Sequence, residues 1–419
     1  MPARRLVART TACDPDIDFL ACARRPGSIV WARGDRLLVS WGQVGRIDPG
    51  SGDGRFERAS EELRSLFERI EVEDEADEWG AGPIAFGAFA FDPDSPGSAL
   101  IVPSVILGRD GRRSWITTIG TDPHPLGASA LEQRRSRTAE AALLEGGARR
   151  MTPSFDEESW LAAVALARDS VQDGIIEKVV LARAALVSCD RPFDVMEVVS
   201  HLALSFPECY TFAFDGLVGA TPELLVRRRG SSVRSIVLGG SAAREVDERD
   251  DRRAGKRLLS SHKDRREHDL AVASVREALE RTCLEVAAED EPCLLKLPYV
   301  QHLRTEVRAR LARSLTALEL AGALHPSAAV CGVPTDKALA TIRELEGLDR
   351  GRYCGPVGWV DARGDGEWGI ALRCAELAGS GARLFAGAGI VGDSDPAAEL
   401  AETEWKLRPL LDALGVAPG

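Results

Sequence analysis

One apolar run in the middle of the chain constrains the fold more than any other feature. Residues 175–187 read IIEKVVLARAALV, with β-branched and aliphatic side chains on both of the faces that a strand would present. Such a strand is typical of the interior of a covered sheet, because both of its faces must be buried. Lys178 is expected in the middle of this strand, and a buried ammonium is costly unless a carboxylate pairs with it. Two interpretations follow: a structural ion pair, or a general base in a site.

Further predicted strands surround this one along the chain, with predicted helices between them. Residues 1–120 are rich in strand patterns such as IAFGAFAF and ALIVPSVILG, whereas residues 121–153 are rich in Ala, Arg and Gly. From residue 154 onward, strand patterns alternate with amphipathic ones, ending in a helix through ELAETEWKLRPLLDAL. The pattern predicts an α/β or α+β sandwich.

Composition excludes several classes of function. With 53 Lys and Arg against 65 Asp and Glu, the net charge of −12 disfavours non-specific nucleic-acid binding. A small anionic ligand would therefore need a local basic pocket or a metal ion. No apolar run is long enough for a membrane helix, and the N-terminal residues lack the apolar core of a secretion signal. The nine Cys residues form no CxxC pair, so we expect a cytoplasmic protein with free thiols.

Several acidic residues are candidates for chemistry. Glu223 stands in ATPELLVRR, just before a predicted strand, where an exposed turn is the simpler interpretation. Glu399 and Glu402 are three apart on the last predicted helix and share one face, with Lys406 one turn further on. A carboxylate pair on such a face, joined by another carboxylate from a distant helix, suits a hard cation such as Mg²⁺. The alternative is a solvent-exposed salt bridge between Glu402 and Lys406 on the helix surface. Glu267 lies in another predicted helix that is crowded with charge, where a solvated face is the simpler interpretation.

The glycine-rich segment AGAGI follows a predicted strand and is expected to be a loop. It lacks the full GxGxxG pattern, so it does not predict a dinucleotide site. Glycines here would instead allow the backbone to approach a ligand carboxylate closely. The sequence also contains no Walker A, GxSxG or HExxH motif.

Ten motifs in a fixed order carry a family resemblance. They are KVVLAR, TPELLVR, GGSAAR, KDRREHDL, VQHLRTEV, HPSAAVCGVP, YCGPVGW, ALRCAEL, AGAGIV and ELAETEWKL. Together they resemble the chorismate-utilising enzymes, which comprise isochorismate synthases, salicylate synthases and the large subunits of anthranilate and aminodeoxychorismate synthases. The resemblance implies an α/β (α+β) fold with two stacked antiparallel β-sheets and helices outside. Residues 1–120 would be a strand-rich part of that fold, residues 121–153 a connection, and residues 154–410 the chorismate-binding catalytic region.

The resemblance also implies roles for individual residues. The Lys of KVVLAR is typical of the members that use water, so Lys178 would activate water for attack at C2 of chorismate. Glu223 would protonate the departing C4 hydroxyl, which requires that burial or substrate charge raise its pKa. Mg²⁺ would be held by Glu267 and Glu402, with Glu399 helping directly or through water. The implied substrate contacts are Gly240, Ser241, His302, Tyr353, Arg373, Gly387, Ala388, Gly389 and Lys406.

Within the family, the local signatures favour one activity. CGVP, YCGPVGW and DGEWGIALRC resemble isochorismate synthases, and Ala329 is small where salicylate synthases tend to have Thr. We therefore expect a Mg²⁺-dependent isochorismate synthase that acts as a monomer without an amidotransferase subunit. The alternatives are a salicylate synthase, an ammonia-using component I and a catalytically silent chorismate-binding subunit. The motifs do not choose among menaquinone, siderophore and salicylate biosynthesis as the downstream pathway.

Overall fold

The computed structural model describes residues 5–74, 78–123, 149–153 and 156–416, and these residues form two large sheets with associated helices. The strands are β1 (Leu6–Ala12), β2 (Ile29–Arg33), β3 (Arg36–Trp41), β4 (Gly45–Ile47), β5 (Ile70–Asp74), β6 (Ile84–Ala88), β7 (Ala99–Val102), β8 (Val105–Asp110), β9 (Arg113–Gly120), β10 (Arg149–Pro153), β11 (Lys178–Cys189), β12 (Tyr210–Phe214), β13 (Leu217–Thr221), β14 (Leu224–Arg229), β15 (Ser232–Ala243), β16 (Cys283–Ala288), β17 (Cys293–Lys296), β18 (Val300–Leu311), β19 (Gly332–Val333), β20 (Pro356–Asp361), β21 (Gly366–Ile370), β22 (Cys374–Ala378) and β23 (Gly381–Ile390).

The helices are α1 (Phe19–Cys22), α2 (Arg55–Phe67), α3 (Glu157–Gln172), α4 (Val195–Ser205), α5 (Glu248–Ser260), α6 (His262–Glu280), α7 (Ala317–Leu324), α8 (Thr335–Leu345) and α9 (Pro396–Ala413). The helix predicted near the C-terminus is therefore present as α9, which begins after the N-cap Asp395 with Pro396 in its first turn. None of the described helices is long and apolar enough to cross a membrane.

Thirteen strands form the first sheet, in the order β10-β11-β23-β22-β13-β12-β2-β3-β8-β9-β1-β5, with β19 beside β11. Ten strands form the second, in the order β16-β18-β15-β14-β21-β20-β6-β7-β4, with β17 beside β18. The described neighbours are antiparallel except β1 and β5, which are parallel. The predicted architecture of two antiparallel sheets with helices is confirmed, apart from that one pair.

Strands from the first 120 residues take part in both sheets. Strand β2 pairs with β12, and β6 pairs with β20. The sheets share a buried core, and the indole Nε1 of Trp31 on β2 donates a hydrogen bond to Glu367 Oε2 on β21 at 3.0 Å. Residues 124–148 of the predicted connection lie outside the described residues, whereas residues 149–153 form β10, which pairs with β11. The proposed division at residues 120 and 154 stays a prediction.

Most of the apolar run forms β11, whose residues 178–185 are buried on both faces as predicted. It pairs with β23 along most of its length and with β10 and β19 on the opposite edge. The prediction that Lys178 lies in the middle of the strand was wrong, because Lys178 is the first residue of β11. The backbone amides of Ile175 and Ile176 bond to Ser170 O, so these residues close the end of α3 and do not extend the strand.

A buried guanidinium ties β11 to two other segments. Arg350 forms an ion pair with Glu346, and both side chains are 2% exposed. Arg350 also donates to the carbonyl oxygens of Val180 on β11 at 2.7 Å and Val330 at 2.9 Å. Glu346 in turn accepts a hydrogen bond from the amide of Ala182 at 2.8 Å. Arg350 therefore clamps the strand that carries Lys178 to the segment before β19.

Removal of one partner of this clamp should destabilise the protein strongly. We expect Glu346→Ala to lower the free energy of unfolding by about 3–5 kcal/mol, because it leaves a buried guanidinium without its counter-ion. Arg281→Ala is the control, because it breaks a pair with Glu277 whose side chains are 69% and 76% exposed. Urea unfolding followed by circular dichroism measures both. A loss for Glu346→Ala no larger than for the control would contradict the clamp.

Candidate active site

The predicted site residues converge on a cavity between the two sheets. Its walls come from β11 and β23 of the first sheet, β15 and β18 of the second, and the helices α6 and α9. Predicted residues that line it are Glu223, Gly240, Ser241, Glu267, His302, Tyr353, Arg373, Gly387, Gly389 and Lys406. Lys178 and Glu402 contact this lining, whereas Glu399 contacts Lys263.

This cavity is small compared with others in the described part of the chain. Its volume is about 60 Å³, against about 740 Å³ beside Arg24 and Asp194 and about 520 Å³ beside Arg227 and Asp361. We place the site by its chemistry and not by its size, because titratable groups with perturbed pKa values converge here.

Lys178 is completely buried at the edge of this site. Its Nζ lies 3.3 Å from Glu267 Oε1 and has no partner in hydrogen-bond geometry among the described atoms. Gly389 on the neighbouring strand makes room for the pair. A Cβ at position 389 would lie 2.1 Å from Glu267 Oε1 and 3.2 Å from Lys178 Cε. Lys178 thus forms a buried ion pair, and its partner Glu267 lines the cavity. The structure is therefore compatible with both interpretations from the sequence, a structural ion pair and a general base.

Glu223 is the buried acid on the opposite wall. It lies between β13 and β14 and is 4% exposed. Burial raises the pKa of its carboxyl group to about 7, although a backbone amide of Leu238 and the charges of Lys178 and Arg373 act in the opposite direction. A carboxyl group with this pKa is about half protonated near neutral pH and can donate a proton. This is the shift that the sequence analysis required of Glu223 as a general acid.

The hydrogen bonds of His302 define its tautomer. Arg373 Nη2 lies 3.2 Å from Nε2 of His302, and an arginine can only donate, so Nε2 is the acceptor. On the other side, Nδ1 lies 3.2 Å from the Gly240 carbonyl oxygen, which can only accept, and 3.1 Å from Ser241 Oγ. His302 is therefore a neutral imidazole with its proton on Nδ1. Burial, with the charges of Arg373 and Lys406, lowers its pKa well below the ordinary value.

Backbone shape at Gly240 brings this histidine into place. Strands β15 and β18 change register between Gly239 and Ser241, and Gly240 has a positive φ of 59°. A Cβ at position 240 would also lie 2.9 Å from the Cβ of Asp264. Glycine is therefore required at position 240 by both the backbone and the space.

Tyr353 and Arg373 provide polar groups suited to a carboxylate. The ring of Tyr353 stacks on Phe385 with centroids 4.9 Å apart, and burial raises the pKa of its phenol well above the ordinary value. The phenol is therefore a neutral donor. Arg373 has a positive φ of 47° and is 8% exposed, and burial lowers its pKa without removing its charge at neutral pH. A guanidinium of this kind can bind a carboxylate in bidentate fashion.

Each of the three predicted metal ligands contacts a lysine. Beside the Lys178 contact of Glu267, Lys263 Nζ lies 2.5 Å from Glu399 Oε1, and Lys406 Nζ lies 2.5 Å from Glu402 Oε1. Burial raises the pKa of Glu399 to about 7, and repulsion from Glu402 and Glu267 adds to the shift. Burial would raise the pKa of Glu402, but the charges of Lys406 and Lys263, together with hydrogen bonds from Lys406 and Ser241, outweigh it, so that the pKa of Glu402 lies below the ordinary value.

These carboxylates suit a divalent cation in chemistry but are not arranged around one. All the donors are oxygen atoms, which hard cations prefer, and the repulsion that raises the pKa of Glu399 would be relieved by positive charge. Among the described residues, however, no group of three acidic, histidine or cysteine side chains is positioned to hold a metal ion. A cation would have to compete with the lysine contacts.

The prediction of a glycine loop at residues 387–389 was wrong. These residues lie in β23, where Gly387, Ala388 and Gly389 pair with residues 180–182 of β11. Alternation along a strand turns positions 387 and 389 to the cavity, whereas the Ala388 side chain packs in the core. The Gly387 carbonyl oxygen accepts a hydrogen bond from Lys406 Nζ at 2.8 Å. Contacts of Gly387, Ala388 and Gly389 with substrate stay predictions, and for Ala388 only its backbone is placed to make one.

Sequence reasoning missed Lys263. It is the second residue of α6, and its spacing of four residues from Glu267 places both side chains on one helical face. That spacing was visible in KDRREHDL, but its partner Glu399 lies 136 residues further along the chain. The contact could therefore not be read from local sequence.

The tautomer of His302 can be tested directly. At about pH 6, where an ordinary histidine is mostly protonated, we expect His302 to remain neutral with its proton on Nδ1. Long-range ¹⁵N–¹H correlation spectra of protein labelled with ¹⁵N-histidine distinguish the tautomers, and the spectrum of His302→Gln assigns the signal. A cationic ring, or a proton on Nε2, would contradict the hydrogen-bond assignment.

Comparisons with known proteins agree on one family. A family model described as chorismate binding enzyme matches residues 9–415. Isochorismate synthase MenF of Bacillus subtilis is 35% identical over 401 residues, covering 86% of this chain and 82% of that protein. The salicylate biosynthesis isochorismate synthase of Pseudomonas aeruginosa is 35% identical over 424 residues, covering 94% and 86%.

A solved structure adds the fold. The structure of MenF, the menaquinone-specific isochorismate synthase from Escherichia coli, is 27% identical with a TM-score of 0.80, covering 99% of this chain and 95% of that chain. The family predicted from the ten motifs is thereby confirmed, and this chain belongs to the chorismate-binding enzymes.

Proposed function

We propose that this chain is an isochorismate synthase, which converts chorismate reversibly into isochorismate. One observation carries the proposal. The completely buried Lys178 contacts Glu267 in the wall of the cavity that is also lined by Glu223, a buried carboxyl group with a pKa of about 7. A base and an acid held in this way suit the addition of water and the loss of a hydroxyl group in one site. The relatives named as isochorismate synthases, at 35% identity over most of the chain, support the same activity.

Chorismate is a dianion, and the cavity offers groups for its carboxylates. Arg373 and the neutral phenol of Tyr353 would bind the carboxylate of the enolpyruvyl group. His302 cannot donate from Nε2 to this carboxylate, since Nε2 accepts from Arg373. Its role is to orient the guanidinium, and the Gly240 carbonyl fixes the ring in turn. Lys406 adds positive charge on the same wall.

The proposed chemistry is balanced in water and protons. Lys178, in its neutral form, takes a proton from a water molecule as the oxygen attacks C2 of the ring. The double bonds shift and the C4–O bond breaks, while Glu223 donates its proton so that the C4 hydroxyl leaves as water. Water enters and leaves, so the product is an isomer. Lys178 then gives its proton to solvent and Glu223 takes one up, which restores both groups for the next turnover. Glu267 lies 3.3 Å from the ammonium that forms on Lys178 and stabilises it.

We further propose that Mg²⁺ binds at Glu267 and Glu402, with Glu399 contributing directly or through water. The oxygen donors and the mutual repulsion of the carboxylates support this assignment. When bound, Mg²⁺ would neutralise the ring carboxylate of chorismate and stabilise charge as it redistributes. Because water is the nucleophile, the enzyme needs no ammonia and no amidotransferase subunit.

Product analysis tests the proposed activity. Purified protein with chorismate and Mg²⁺ should give an equilibrium mixture of chorismate and an isomer of identical mass, independent of ammonium, as judged by chromatography with mass detection. Lys178→Met should lower kcat by about 10²–10⁴-fold, because the general base is lost. Lys256→Met, which removes an exposed lysine on α5, should not change the rate.

Other products would redirect the assignment. Salicylate and pyruvate appearing together would indicate a salicylate synthase, despite the small Ala329 in the cavity wall. An aminated product that requires ammonium would contradict the role of Lys178 as the base for water. Bound but unconverted chorismate would indicate a silent binding subunit.

The pH dependence tests Glu223 as the acid. Since the pKa of Glu223 is about 7 and its protonated form is the active one, kcat/KM at saturating Mg²⁺ should fall as the pH rises through about 7. The decline should approach tenfold per pH unit, because kcat/KM reports the ionisation of the free enzyme. Glu223→Gln should lose most of the activity and show no such decline in what remains. A profile of the intact enzyme that is flat up to about pH 9 would contradict the assignment.

A further inference from the structure

Lys263 has a place in the site that the proposed reaction does not use. Its side chain is 28% exposed, but its Nζ lies 2.5 Å from Glu399 Oε1, on a side chain that is 2% exposed. Burial alone would lower the pKa of Lys263, but the charges of Glu399, Glu267 and Glu402 outweigh it and raise the pKa. The ammonium therefore lies directly against one of the carboxylates to which the proposed function assigns the cation.

The other two lysines that contact these carboxylates also have roles outside the acidic cluster. Lys178 is the proposed base, and Lys406 also donates to the Gly387 carbonyl oxygen at 2.8 Å. Lys263 does not line the described cavity; it lies one turn before Glu267 on α6, and its described ion pair is with Glu399. Because its side chain is already 28% exposed, it can turn towards solvent without leaving its own charge buried. These features are those of a replaceable counter-ion.

We propose that Lys263 is the internal counter-ion of the acidic cluster and that it competes with the divalent cation for Glu399. Without a cation, the lysine balances the charge of this buried carboxylate through their ion pair. When the cation binds, Lys263 releases Glu399 and turns outward. The lysine thereby sets the cation affinity of the site, as a positioning residue and not as a catalytic one. This inference rests on the proposed Mg²⁺ site.

Cation binding without chorismate tests this role separately from catalysis. Lys263→Met should bind Mg²⁺ about tenfold more tightly than the unmodified protein, because a positive charge next to the cation is removed. Isothermal titration calorimetry with MgCl₂, and titration with Mn²⁺ followed by electron paramagnetic resonance, measure the affinity. Both are done at about pH 8.5, where the carboxyl groups are ionised. The same variant should show a larger rise in Tm on addition of Mg²⁺.

Two further variants serve as controls. Lys263→Arg keeps the positive charge and should bind Mg²⁺ with nearly unchanged affinity. Lys256→Met removes an equal charge from an exposed position on α5 and should also leave the affinity unchanged. Unchanged or weaker binding by folded Lys263→Met would overturn the proposal. So would the absence of Mg²⁺ binding by the unmodified protein, whereas the isomerase activity itself is decided by the product analysis.

Discussion

The ion pair between Lys178 and Glu267 determines how the two sheets meet at the site. The lysine starts β11 in the first sheet, and the glutamate lies on α6, which packs against β15 in the second. A buried ammonium without a carboxylate would destabilise the fold by several kcal/mol, so α6 must bring Glu267 to this point. The pair fits only because Gly389 has no side chain. One requirement, the neutralisation of one charge, thus links a strand, a helix and a glycine from three distant parts of the chain.

A second buried charge holds the same strand from its other edge. Arg350 bonds to the carbonyl oxygens of Val180 and Val330, and both of these residues line the cavity. The guanidinium has five donors in a rigid plane, so it fixes the distance between the two walls more firmly than apolar packing would. The width of the cavity is therefore coupled to the register of β11. A substitution at Arg350 would change ligand binding without any direct contact between residue 350 and the ligand.

Sequence reasoning was most successful where one segment determines its own environment. The two-faced apolar run predicted a covered strand, and the ordered motifs predicted the family and the fold. The pair of Glu402 and Lys406 was readable from their spacing, although the structure shows these side chains only 17% and 12% exposed and not in a solvent-exposed salt bridge. At Lys178 the error had a local cause, because Ile175 and Ile176 close the end of α3 and do not extend the strand. The error at residues 387–389 depended on pairing between β11 and β23, which lie about 200 residues apart along the chain. No local pattern contains that information, and the contact of Lys263 with Glu399 was missed for the same reason.

The charges of the site explain how an acidic protein can bind a dianion. The chain carries a net charge of −12, so long-range attraction does not help chorismate to enter. Locally, each carboxylate of the proposed metal site contacts a lysine, and the Glu223 carboxyl group is protonated in about half of the molecules near pH 7. The described side-chain hydrogen-bond partner of Arg373 is the neutral ring of His302 and not a carboxylate, which supports the proposed contact of Arg373 with the substrate. A carboxylate in place of His302 would have satisfied Arg373 and removed its attraction for substrate. The neutral histidine orients the cation and leaves its charge for the ligand.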